Sequence, residues 1–224
     1  MNKVFQLAAL GAIFIASANA SLIVLNFEGL QNDEGVLSYY DGGYGSLGSG
    51  PGPSYGVTFT SNGTAFISTN EDFAGNPSGD TAFTFVSDSN PAIMDVPAGF
   101  DTGFSFYYSA AYDTGEIDVY SGLDGTGTEL ASITPPVTEN GYESGNPACP
   151  DSKDVFCPFF PLGVSFSGTA ESVVFTNTEG LVALDDITLG SDEPDDIPEP
   201  PAFSLAGLGL ASLLVISRRR HNLQ

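Results

Sequence analysis

The 224-residue chain has no tryptophan, a single histidine, two cysteines and only five lysines and arginines, against 28 aspartates and glutamates. Each scarcity excludes a class of function. The bases are Lys3, Lys153, Arg218, Arg219 and Arg220, while every acid lies between Glu28 and Glu199, so the body of the chain holds one lysine. Nucleic acids are bound through Lys and Arg clusters that displace counterions from the phosphates; this body repels them, and nucleic acid is excluded as a partner. The lone His221 follows the Arg triplet, so Ser-His-Asp or Cys-His hydrolysis lacks its base in the body. Glycosidases need only two carboxylates, but no spacing selects a pair and no Trp offers a sugar platform. The chain is therefore read as non-catalytic, with no cofactor required. With 27 Gly and 15 Pro, long helices are also disfavoured, and 15% charged residues is too few for a coiled coil or a charged disordered polymer. One globular domain with short flanking segments fits the length.

What is present begins at the ends. Lys3, an apolar run from Val4 to Ala16 and the small residues of Ser17-Ala18-Asn19-Ala20 meet the rule for a secretory signal, which assigns residues 1–20 to a signal peptide. The mature protein then starts near Ser21, outside the cytoplasm. At the other end Pro198-Glu199-Pro200 precedes an apolar stretch over 202–217 and the triplet Arg218-Arg219-Arg220. Sixteen helical residues reach about 24 Å, short of the roughly 30 Å hydrocarbon core by an amount that snorkelling arginines cover. The positive-inside rule puts the arginines in the cytoplasm and residues 21–200 across the membrane. Residues 191–197, rich in acids around Pro194, form a linker that like charges keep extended.

Between the ends, residues 21–190 read as an all-β ectodomain. Apolar residues alternate in short runs broken every 8–12 residues by Gly, Asn, Asp or Pro. Phe100, Phe104, Phe106 and Tyr108 fall on one strand face, as do Ile117 with Val119 and Val57 with Phe59. Further strands are expected over 22–27, 64–68, 81–86, 129–133, 162–166, 172–176 and 182–189. About ten strands in this length predict an antiparallel β-sandwich of jelly-roll type. Gly122 to Thr128 reads as a glycine turn, with a cation loop as the alternative on Asp124 alone. Cys149 and Cys157 interrupt the strand pattern in a Pro-rich excursion and are expected to pair once exported.

Two candidate sites emerge. Glu28 lies on the first strand and Asp185 and Asp186 on the last; if those strands run side by side, their carboxylates could hold a calcium ion, or could simply cap backbone amides. Consecutive aspartates face opposite ways unless a bulge intervenes. Tyr39, Tyr40, Tyr44 and Tyr55 surround a Gly/Ser/Pro-rich loop, and tyrosine rings beside acidic acceptors suit saccharides; they could equally be half-buried rims of the sandwich.

The order Pro198-Glu199-Pro200, short apolar helix, basic cluster resembles the PEP-CTERM sorting signal of Gram-negative bacteria, with Ile197 where many members have Val. The resemblance implies passage through the secretion translocon, transient anchoring in the inner membrane, recognition by an exosortase, and a final place at the cell surface or outside the cell. The body, through Asn26-Phe27-Glu28-Gly29-Leu30, Tyr40-Asp41-Gly42-Gly43-Tyr44, Gly99 to Phe106 and Leu184-Asp185-Asp186-Ile187, is similar to a recurring PEP-CTERM ectodomain of unknown activity; its opening and closing motifs resemble calcium-stabilised jelly rolls. The expectation is an extracellular-matrix protein of the exopolysaccharide or biofilm layer, with a calcium-stabilised carbohydrate-binding module as the alternative.

Overall fold

A computed structural model describes residues 22–67, 74–85, 90–112, 114–138, 149, 156–176 and 182–195. Its ten strands are β1 Ile23–Leu25, β2 Glu34–Gly35, β3 Thr58–Phe59, β4 Gly63–Ile67, β5 Thr81–Phe85, β6 Ala92–Ser109, β7 Glu116–Tyr120, β8 Glu129–Ile133, β9 Phe160–Thr176 and β10 Ala183–Leu189. Among the described residues there is no α-helix, only a 3-10 turn at Leu123–Gly125. All pairings are antiparallel, in the order β2-β4-β5-β10-β6-β9-β7-β8, with β1 added to β10 and β3 to β6.

The long partners β6 and β9 carry the architecture. Their ladder shifts register between Asp95 and Phe100 and again between Asp101 and Gly103. Gly99 (φ +70°), Thr102 (φ +75°) and Gly168 (φ +100°) lie at these breaks, where an extra residue bends a strand pair. The pair consequently folds over on itself. Phe104 is laddered to Val164, far along β9 from Phe175, yet the rings of Phe104 and Phe175 are 6.4 Å apart. Two layers thus face one another, and Phe27, Phe83 and Phe175 pack between them, with Phe83 5.0 Å from Phe27 and 5.3 Å from Phe175. Burial of such rings is the largest favourable contribution to folding, on the order of 2–3 kcal/mol each. The all-β sandwich expected from the alternation is the fold.

A smaller cluster covers the outside of the sandwich. Ala82 of β5 and Ala183 of β10 are packed by Phe66, Phe156 and Phe159. The Cys149–Cys157 disulfide closes the chain just before this cover, with Cα atoms 5.7 Å apart.

Because β1 runs antiparallel to β10, Ile23 opposite Leu189 and Leu25 opposite Ile187, Leu22 and Gly190 share one end of the sandwich. Residues 27–28 and Asp185 lie at the other end. The two ends are separated along β10 by about 17 Å at 3.3 Å per residue.

Candidate functional site

At the Asp185 end, the chain from Val36 to Val57 forms a long glycine-rich loop. A buried carboxylate organises it. Glu34, fully buried in β2, accepts hydrogen bonds at Oε2 from the Gln31 amide (2.7 Å) and at Oε1 from the amides of Leu47 (2.8 Å) and Ser49 (3.1 Å). Burial works to raise its pKa, but bonds from the Ser49 side chain and the amides of Gln31, Ser49 and Leu47 outweigh it and hold the carboxyl below its usual value. Gly45 leaves no room for a Cβ against that carboxylate. Around it the loop is tied to itself: Gly35 donates to Ser46 Oγ (2.8 Å), Gly42 to the Pro53 carbonyl (2.9 Å), Tyr55 to the Tyr40 carbonyl (2.8 Å), and Asp41 bridges Ser54. These bonds, with those to Glu34, tie the loop to itself and to β2 as one platform.

The four candidate tyrosines divide on this platform. Tyr40 is buried, edge-on to Phe27 at 5.8 Å, and its hydroxyl accepts the Phe27 amide hydrogen. Burial pushes its pKa well above the ordinary value. Tyr39 is also buried and donates to the Glu28 carbonyl at 2.9 Å. These two rings belong to the core, for which their apolar faces are needed, so they are corrected from ligand contacts to supports. Tyr44 and Tyr55 remain outward, 54% and 43% exposed, with Leu47 at 58% beside them in sequence. The Tyr55 ring lies parallel to that of buried Tyr40, with 6.1 Å between centroids. An exposed ring braced by a core ring is oriented before any ligand arrives.

The acids meet on the turn at 76–81 rather than on one point. Glu28 Oε1 accepts the amides of Asp80 (2.9 Å) and Thr81 (2.8 Å). From the other side Asp185 Oδ2 accepts the Ser78 amide at 3.4 Å and Asn76 Nδ2 at 3.5 Å, and Ser78 Oγ donates to Asp186 Oδ1 at 2.7 Å. Asp186 has φ +46°, and the β6–β10 register shifts between Asp185 and Thr188. That bulge is what lets neighbouring aspartates, both buried, reach the same serine. Burial, then the charge of Asp186, raises the Asp185 pKa well above its usual range. Among the described residues no three His, Cys, Asp or Glu side chains gather as a metal centre would require. Glu28 is occupied with backbone amides, the capping role that the sequence left open beside calcium.

The 3-10 turn at Leu123–Gly125 confirms the glycine-turn reading of 122–128: Asp124 (φ +55°), Gly125 and Gly127 take positive φ, and the Asp124 amide is accepted by Asp95 Oδ1 at 2.8 Å. The sorting residues Pro198, Glu199, Pro200, Arg218, Arg219 and Arg220, the signal peptide at 1–20 and the apolar stretch at 202–217 lie outside the described residues. Among the described residues no helix is long and apolar enough to cross a membrane. Glu34, Asn76 and Ser78 were not among the residues singled out in the sequence. Only the acids inside the otherwise apolar run 182–189 gave a signal, since buried charge is costly unless held.

No family model matches the sequence, and no curated protein matches it. Solved structures that resemble it include the K2 cleaved adhesin domain of Lys-gingipain, with 13% identity over 76% of this chain and 100% of that domain, at TM-score 0.48. A family 6 carbohydrate-binding module matches with 16% identity over 59% of this chain and 86% of its own length, at TM-score 0.35. A family 35 module from Paenibacillus barcinonensis matches with 15% identity over 61% and 93%, also at 0.35. These TM-scores are all below 0.5, and no property of those proteins is carried to this chain.

Proposed function

We propose that this chain is an exported, non-catalytic module, built as a jelly-roll-like sandwich, that binds extracellular polysaccharide through the loop bearing Tyr44 and Tyr55. The observation that carries the reading is a loop tied by its own backbone bonds that turns two tyrosines outward, with the Tyr55 ring stacked on buried Tyr40. Tyrosine offers a flat apolar face to a pyranose ring and a hydroxyl to its edge. The ligand is a neutral polysaccharide, because 28 acids against one lysine in the body repel uronates and sulfated chains.

Delivery is the second part of the proposal and rests on sequence: residues 1–20 as secretory signal, and 198–224 as a PEP-CTERM-like signal handled by an exosortase at the inner membrane. The functional half is tested on a glycan array with the mature chain and with Tyr44→Ala and Tyr55→Ala, each variant first shown to melt like the parent. Binding to neutral glycans that both substitutions weaken supports the reading. Absence of binding above background in the parent overturns it. Delivery is tested separately by Glu199→Ala in the source bacterium, where unchanged processing and location would contradict it.

A further inference from the structure

The loop that carries Tyr44 and Tyr55 is a two-armed ribbon, and its pairing sets how far apart the two rings stand. Asp41 bridges Ser54, and the Gly42 amide donates to the Pro53 carbonyl (2.9 Å). Further along, the Gly52 amide donates to the Gly43 carbonyl (3.0 Å) and the Gly45 amide to the Ser49 carbonyl (2.9 Å). Residues 40–45 thus run antiparallel to 49–55, with Tyr55 beside Tyr40 and Pro51 beside Tyr44. One face of this ribbon lies so close to the body that side chains are shut out. A Cβ at Gly43 would strike Ser38, one at Gly45 the Glu34 carboxylate, and one at Gly52 the carbonyl and ring of Tyr39. Neighbours along an extended arm face opposite ways, so Tyr44, between Gly43 and Gly45, and Pro51, before Gly52, turn outward; both are exposed.

We propose that this ribbon is a linear site that grips the side of a polysaccharide chain across several linked sugars, with Tyr55 at one end and Tyr44 at the other. The inference rests on the reading of the loop as a saccharide site and adds its shape. From Tyr55 to Pro51, the neighbour of Tyr44, is four residues, about 13 Å of extended chain. A pyranose is about as broad as a tyrosine ring, so a single sugar covers one tyrosine and leaves the other bare. Only a run of linked sugars lying along the ribbon meets both. Between the rings the exposed side chains of Asp41 and Ser54 offer oxygens to sugar hydroxyls. Neither ring has to be ordered on binding: Tyr55 is stacked on buried Tyr40, and Tyr44 is carried by an arm whose tip is held by Glu34. A sugar seated on one tyrosine therefore delivers its linked neighbours to the second at high effective concentration.

The test titrates gluco-, manno- and galacto-oligosaccharides of one to six units into the full chain, kept in a detergent without a sugar headgroup, and into Tyr44→Ala and Tyr55→Ala. Ligand-observed NMR reads the weak binding of the short members. In the parent, affinity is expected to rise about tenfold from the single sugar to the hexamer. Each substitution is expected to flatten that rise while changing single-sugar binding by no more than about twofold, since one ring remains. Tyr55→Leu serves if Tyr55→Ala melts below the parent. A parent that binds sugars equally at every length overturns the linear site and leaves the saccharide reading in place, and so does a rise that both variants retain in full. No binding by the parent at any length defeats the saccharide reading itself, and the linear site with it.

Discussion

Glu34 and Asp185 are both buried carboxylates, and their surroundings send them in opposite directions. Glu34 receives three backbone amides, which stabilise its charge; Asp185 receives the Asp186 amide at 2.8 Å and longer bonds from Ser78 and Asn76, which its burial and the neighbouring charge of Asp186 outweigh. For Glu34 the folded pKa lies below the unfolded one, so its contribution is present at neutral pH and is lost as pH falls through the lowered folded value. Glu34→Gln keeps one acceptor oxygen but turns an NH2 group, which cannot accept, towards the amides on the other side. The variant is expected to lose about 2 kcal/mol, measured by denaturant unfolding at pH 7, and to show a shallower acid limb than the parent. For Asp185 the sign reverses. A raised folded pKa gives stability that is full below about 3.9 and declines as pH rises through the folded value. Asp185→Asn, which keeps the shape and cannot ionise, is expected to melt no lower than the parent at pH 8 and to flatten that decline; a marked drop in midpoint would contradict this account of the pair.

At the scale of elements, the outer cover of β5 and β10 depends on a loop whose end is fixed by the disulfide. Replacing Cys149 and Cys157 with serine frees a nine-residue loop, and a loss of about 2–3 kcal/mol is expected, together with faster hydrogen exchange at Ala82 and Ala183. The elements also show what the sequence could reveal. The alternation of Phe104, Phe106 and Tyr108 marked the second half of β6 because each residue faces one layer. Its first half was invisible, since Pro97 and Gly99 interrupt the pattern where the strand bends but the ladder with β9 continues. For the same reason 162–166 and 172–176 read as two strands and are one, β9, with its kink at Gly168. At the site, loop composition announced the tyrosines but not their orientation. Which rings turn inward is decided by Phe27 and Glu28, across contacts of 11 and 13 residues in sequence. Glu34 had no signature at all, because its partners are backbone amides that every residue type supplies.

At the scale of the whole molecule, the exposed rings of Tyr44 and Tyr55 sit on a loop tied to the core through Tyr39 and Tyr40, and 28 acids between Glu28 and Glu199 against one lysine give the body a charge that opposes polyanions. The binding claim is met most directly by titration calorimetry of the chain with a panel of neutral polysaccharides. The account predicts saturable binding that Tyr55→Ala weakens about tenfold, equal to about 1.4 kcal/mol, with the thermal midpoint retained. Binding of equal strength in Tyr55→Ala, or no heat with the parent, would contradict it.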